Sequence, residues 1–197
     1  FDFVEAIRSF GTQEQNHPKK FIEVLKKVEV KDGEKYISIE PSEKDLIIDF
    51  EIVYKNPLIR TRRKEFKLSK GDLTSIYNSR TFCLYEDIDN IKSQGLAKGG
   101  SLENAIVVKE KKILNEDGLR HRDEFVGHKI LDCIGDLMLS GHKIFGHVKT
   151  SQGGHQLTNT LLRKFLADKS NWKFTSSEKK EKDDKDSNFT RSIAVNA

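Results

Sequence analysis

The sequence predicts an α+β domain, an antiparallel sheet with its helices gathered on one face. Three observations carry that class. Apolar residues alternate at period two through residues 21–53, as half-buried strands require. The spacing changes to threes and fours in residues 121–140 and 155–166, as on amphipathic helices. Between them, residues 80–108 hold two short extended runs around a brief helical one, a small inserted strand–helix–strand unit.

The elements follow in order. Phe3, Ile7 and Phe10 stand at helical spacing, with Gly11 as a stop. The next residues are polar and end in Pro18, as interdomain linkers do. Residues 1–17 are therefore expected to be the remnant of an upstream domain and its linker; the alternative is a native N-terminal helix of a single domain. Residues 21–30 and 36–39 read as strands around Asp32-Gly33, because glycine tolerates the positive φ of a hairpin turn. Residues 46–53 make a third strand, stopped at Asn56-Pro57, and residues 65–68 a short fourth. Ser69 is a reasonable N-cap for a helix through Leu73, Ile76 and Tyr77.

An insertion is expected at about residues 87–112, around the flexible Gly95-Leu-Ala-Lys-Gly-Gly100. Residues 121–140 form the longest helix, stopped by Gly141; residues 144–150 are a last strand and 155–166 a last helix. The domain proper is set at residues 18–175. Residues 176–197, rich in both charges and poor in apolar anchors, are expected to be a disordered tail.

Bulk properties exclude several classes of function. The chain has 197 residues, and 35 basic side chains nearly cancel 31 acidic ones for a net charge of +4. That balance lacks the concentrated basic face that nucleic acid needs, so no nucleic-acid partner is expected. The densest basic run, Arg60-Thr-Arg-Arg-Lys64, reads as a solvated loop before a strand. No apolar run approaches the roughly 18 residues of a membrane span, and no signal-peptide pattern opens the chain. Cys83 and Cys133 have neither framework nor redox spacing. Both read as reduced apolar fillers, which suits a cytoplasmic protein.

The long helix carries the chemistry. Val126, Ile130, Cys133, Ile134 and Leu137 share one side, at roughly 100° per residue, and form its core face. His128, Asp132 and Asp136 fall opposite, each one turn from the next. An imidazole and a carboxylate at i, i+4 can hold one divalent metal; a solvated polar edge has the same spacing. Phe125, Leu139 and Gly135 lie on that polar side too, which is unusual for a wet face. Gly135 suggests that something approaches the backbone there. His155, after Gly153-Gly154, is either a functional group or a capping residue. His17, His121, His142 and His147 have no partner spacing and read as surface or sheet residues. Gly99-Gly100-Ser101 lacks the context of a phosphate loop.

Six patches carry a resemblance: Ser79-Arg-Thr-Phe82, Gly95-Leu-Ala-Lys-Gly-Gly-Ser101, Leu114-Asn-Glu-Asp-Gly-Leu-Arg120, residues 123–136, Ser140-Gly-His142 and Gly154-His155. In that order they closely resemble the UDP-3-O-acyl-N-acetylglucosamine deacetylases, zinc amidases of lipid A (lipopolysaccharide) biosynthesis in Gram-negative bacteria. The resemblance covers Lys20 to about Trp172. It implies the second of two similar layered sheet-and-helix domains, carrying a small βαβ insertion, with the active site at the interface between domains. It implies Zn2+ as cofactor, held by His128 and Asp132. His155 would stabilise developing negative charge and protonate the leaving amine, with Asp136 as the carboxylate that favours its charged form. Thr81 would hold the oxyanion. Phe82 and Lys129 would contact the substrate, the lysine near its nucleotide-sugar portion, and Ile88, Leu96, Ala105 and Val107 would line a passage for the acyl chain.

The family's third zinc ligand is a histidine preceded by the general-base glutamate, both in the first domain. No Glu-His pair occurs in this sequence. The expectation is therefore a monomeric C-terminal domain, inactive without its N-terminal partner domain. Gln152 stands where many members carry a basic residue, which would alter contacts with the substrate diphosphate. The alternative is a non-catalytic module binding nucleotide sugar or acyl chains. A zinc peptidase is disfavoured, because such enzymes place two histidines and the base on one helix.

Overall fold

The computed structural model describes residues 2–176. Its main sheet has seven strands: β1 (Lys20–Val24), β2 (Val28–Asp32), β3 (Lys35–Glu40), β4 (Leu46–Ile52), β5 (Arg62–Lys67), β9 (Lys143–Ser151) and β10 (Trp172–Ser176). A second sheet holds β6 (Thr81–Leu84), β7 (Ala105–Lys109) and β8 (Lys112–Ile113). The helices are α1 (Asp2–Phe10), α2 (Leu73–Tyr77), α3 (Ile88–Ser93), α4 (Glu124–Met138) and α5 (His155–Ala167). The α+β class holds, with one correction. The sheet is mixed, because its long hub strand β9 runs parallel to β1 and β4 and antiparallel to β3. Parallel neighbours need long crossovers, and here residues 53–142 make the one between β4 and β9.

Period two along β9 decides which face is covered. Strand β9 packs against α4, and Ile144, Val148 and Thr150 are buried on one of its faces, while Phe145, His147 and Lys149 line the opposite face. Phe125, Ile130, Leu161 and Phe165 are fully buried from the helix side. Each such side chain contributes about 1.5–3 kcal/mol, so this layer holds the sheet and the long helix as one body. Cys133 lies in it at 2% exposure, and burial pushes its thiol up to about 12, with Asp136 and Asp132 adding to the effect. A thiolate is the reactive form. Cys133 should therefore resist alkylation at pH 8 in the folded protein and react fully in denaturant, as mass spectrometry of labelled protein would check.

Local chemistry explains where boundaries differ from the expected ones. The run 21–30 divides into β1 and β2, because Leu25 and Lys26 turn out to bond the Asn171 carbonyl. The β2–β3 hairpin forms as expected, with Gly33 at φ +59. The basic run is no loop: Arg62, Arg63 and Lys64 lie in β5. Arg63 donates to both Asp49 oxygens at 2.7 and 2.5 Å, and Lys64 to Asp123. Asp72, not Ser69, caps α2 by accepting from the Thr74 and Ser75 amides, while Ser69 bonds Asp45. The end of the domain forms an unforeseen strand, β10, antiparallel to β1. Apart from Ser176, its last residue, the expected tail lies outside the described residues.

The small sheet is the expected βαβ unit, entered already at β6. Its two parallel strands place Thr81, Cys83, Ala105 and Val107 on one side, and Phe82, Leu84, Ile106 and Val108 on the other. Ile106 and Val108 anchor the unit in the core. Helix α1 buries none of its residues, and Phe3 and Phe10 are 86% and 97% exposed. Among the described residues, no helix is long and apolar enough to cross a membrane.

Candidate metal and proton-transfer site

Helix α4 sets His128, Asp132 and Asp136 along one edge, four residues apart. Its opposite edge is fixed by Val126, Ile130, Cys133 and Leu137, all buried, so the polar edge is held toward the N-terminus of α5. Phe125 corrects the expectation made for it. It is fully buried and edge-on to Phe82, at 5.0 Å between ring centroids. Leu139, at 74%, is exposed.

The Nδ1 of His128 lies 3.2 Å from the Ser79 carbonyl oxygen. A carbonyl can only accept, so Nδ1 carries the proton and Nε2 keeps a lone pair. That lone pair faces Asp132, with Oδ1 at 3.3 Å. Burial lowers the basicity of His128, outweighing the opposing pull of Asp132 and Ser79. The neutral imidazole is what metal ligation needs. Asp132 also accepts from the Lys129 ammonium at 3.1 Å.

His155 opens α5, and its Nδ1 lies 2.9 and 3.0 Å from the two Asp136 oxygens. Its Nε2 is left 4.0 Å from Asp132 Oδ2. His128, Asp132, Asp136, Lys129 and His155 thus converge on one spot. Thr81 and Phe82 follow Ser79 and Arg80 directly in β6, Thr81 exposed and Phe82 half-buried. Ala105 and Val107 share the Thr81 side of the small sheet, with Val107 buried, Ile88 half-buried and Leu96 exposed. A cleft of about 320 Å³ adjoins Lys129, lined by Lys35, Ile52, Val53, Tyr54, Gln152 and Gly153.

Among the described residues, no group of three His, Cys, Asp or Glu side chains is set to hold a metal ion. Two donors are present. An imidazole nitrogen whose other nitrogen is fixed by a carbonyl, beside a carboxylate, is a donor pair suited to zinc.

Several residues of the site have no local sequence signal. Ser79 is held by its hydroxyl to the Ser75 carbonyl at 2.7 Å and to His121 Nε2 at 2.9 Å, so His121 is partnered after all. His147 also has a neighbour, Glu40 at 3.7 Å, though among the described residues its buried Nε2 has no hydrogen-bond partner. The glycine that permits close approach is Gly127, where a Cβ would stand 2.4 Å from Ser79 Oγ. A Cβ at Gly135 would meet no packing partner within 4 Å among the described residues. Gly127→Ala should therefore cost about 1–3 kcal/mol by overpacking, whereas Gly135→Ala should stabilise by up to about 1 kcal/mol through helix propensity. Urea denaturation of both variants checks the contrast.

Residues 1–167 match the family model described as UDP-3-O-acyl N-acetylglycosamine deacetylase. The chain is 42% identical over 175 residues to the UDP-3-O-acyl-N-acetylglucosamine deacetylase of Haemophilus ducreyi, covering 87% of this chain and 57% of that protein. It is 41% identical over 182 residues to the enzyme of that name from Actinobacillus pleuropneumoniae serotype 3, covering 91% and 60%. For the one from Pseudoalteromonas translucida the identity is 41% over 179 residues, covering 89% and 59%. The chain thus spans less than two thirds of the length of these relatives. A match over most of its own residues nonetheless decides its kinship: this chain belongs to the UDP-3-O-acyl N-acetylglycosamine deacetylase family.

Proposed function

We propose that this chain contributes two zinc ligands and the proton donor of a cytoplasmic deacetylase that hydrolyses the acetamide of a UDP-3-O-acyl-N-acetylglucosamine in lipid A biosynthesis. The observation that carries the reading is the approach of His128 Nε2 and His155 Nε2 to the same carboxylate, Asp132, at 3.3 and 4.0 Å.

Zinc bound at His128 Nε2 and Asp132 would supply a Lewis acid that polarises the amide carbonyl and makes water a better nucleophile. The chain's own residues account for the rest. Lys129 and Lys35 edge the adjoining cleft, where two ammonium groups suit the diphosphate of a nucleotide sugar. The Thr81 hydroxyl donates to the oxyanion as water adds to the carbonyl carbon. Asp136 fixes His155 through Nδ1, so the protonated ring directs its Nε2–H inward. That proton passes to the nitrogen as the C–N bond breaks, and acetate and the free amino sugar depart. The side of the small sheet bearing Ala105 and Val107, together with Ile88 and Leu96, accommodates the acyl chain.

The base that deprotonates water and a third zinc ligand are supplied from outside this sequence, by the N-terminal domain. Residues 1–197 should therefore show no turnover alone. The test is acetate release by the full-length protein before and after complete zinc removal. Loss of activity with chelation and its return with zinc are expected; undiminished activity in zinc-free protein would sink the reading.

A further inference from the structure

One peptide group joins the buried ion pair of this domain to its proposed metal ligand. The carbonyl of Ser79 and the N–H of Arg80 belong to the same peptide unit. The carbonyl accepts from His128 Nδ1 at 3.2 Å, and the N–H donates to Glu124 Oε1 at 3.1 Å. No peptide bond in the described chain is cis, so these two groups point in opposite directions. The unit therefore lies along one turn of α4, about 6 Å from residue 124 to residue 128.

Glu124 itself is held without slack. It is fully buried at the first residue of α4. Oε1 also accepts from Arg80 Nε at 2.8 Å, and Oε2 from Arg80 Nη2 at 3.3 Å and the Arg120 amide at 2.6 Å. The remaining guanidinium donors reach Asp117 at 2.8 and 3.1 Å and the Gly118 carbonyl at 2.6 Å. Gly127 lets the Ser79 side chain sit against the same turn.

We propose that Glu124 is a positioning residue for His128, acting through the Ser79–Arg80 peptide. A carboxylate bonded to the N–H polarises the peptide and makes its carbonyl a stronger acceptor. The stronger acceptor holds the proton on His128 Nδ1 and fixes the ring, leaving Nε2 free. Metal-bound histidines commonly have a carboxylate or carbonyl on the other nitrogen; here the two act in series. Thr81 and Phe82 follow the clamped peptide, so the same device sets the start of β6. The inference rests on the proposed role of His128 as a zinc ligand, but its primary readout does not.

The test uses metal-free full-length protein, labelled with 15N, at a pH where His128 is neutral. Long-range proton–nitrogen spectra report the tautomer of each histidine ring. Wild type should show His128 with its proton on Nδ1, and the Arg80 amide should be strongly protected from exchange. Glu124→Gln should mix the two His128 tautomers, leave the His155 ring unchanged, and weaken zinc binding by about 10–100-fold in a chelator competition. Arg80→Lys keeps the carboxylate and the peptide bond, and should keep the tautomer.

A folded Glu124→Gln protein with the wild-type His128 tautomer and zinc affinity overturns the proposal. If Glu124→Gln does not fold, wild type decides. The Nδ1–H tautomer with a protected Arg80 amide supports the relay; an Nε2–H tautomer or a freely exchanging amide overturns it. A wild-type protein that binds no zinc yet shows the tautomer contrast with Glu124→Gln upholds the relay and overturns the zinc reading.

Discussion

His155→Ala in the full-length protein is expected to retain zinc and lose about 10²–10⁴-fold in kcat, the usual span for a positioned acid–base group. Asp132→Ala is expected to fail earlier, by losing the metal. The separation follows from geometry. Asp132 shares the inner face of α4 with the His128 Nε2 lone pair at 3.3 Å, so under the proposed ligation its removal would leave one protein ligand from this domain. His155 binds Asp136 through Nδ1, and its Nε2 lies 4.0 Å from Asp132, where it is proposed to deliver a proton to a bound group. Metal content and turnover of the two variants, measured side by side, check the difference. Loss of zinc from His155→Ala would reverse the assigned roles.

Arg80→Met should destabilise the protein by about 3–5 kcal/mol at neutral pH, because it strips a fully buried carboxylate of its charge partner. The pH dependence gives this prediction a second handle. Burial alone would raise the Glu124 carboxyl, but its bonds from the Arg80 side chain and the Arg80 and Arg120 amides, with the arginine's charge, hold it below its ordinary value. A depressed folded-state carboxyl contributes stability that is present above its unfolded value, about 4.3. That contribution is lost as pH falls through the lower folded value. Without the Arg80 side chain its hydrogen bonds and charge are lost and only the two backbone amides still oppose burial, so the carboxyl rises and acid costs the variant's fold less than it costs wild type. The stability gap between wild type and Arg80→Met should therefore shrink on going from pH 7 to pH 4. Urea titrations at both pH values would show it, and a constant gap would contradict the account.

The polar edge of α4 was legible because helical spacing is local: His128, Asp132 and Asp136 are one turn apart in any α-helix. Which glycine matters was not, since that depends on what packs against the helix. Ser79 arrives at Gly127 from 48 positions away, and among the described residues nothing packs where a Gly135 Cβ would stand. The Arg80–Glu124 pair joins residues 44 apart, and neither has a neighbour in sequence that suggests the other. The mixed sheet was hidden for the same reason, because β4 and β9 look alike whether they run parallel or antiparallel. Alternation reveals which side of a strand is covered and carries no sign of its direction. His155 gained a role only through resemblance. Its position at the start of a helix fits a cap equally well, and its contact with Asp136 exists only once α5 is folded against α4.

His128 Nε2 and the Asp132 carboxylate are proposed to share one metal ion. Anomalous diffraction collected on either side of the zinc edge, from crystals of zinc-loaded full-length protein, tests this proposal most directly. One edge-dependent peak is expected about 2.0–2.2 Å from both groups, with His155 beside it but not bonded to it. A zinc peak away from this edge of α4, or one that leaves His128 or Asp132 uncoordinated, would contradict it.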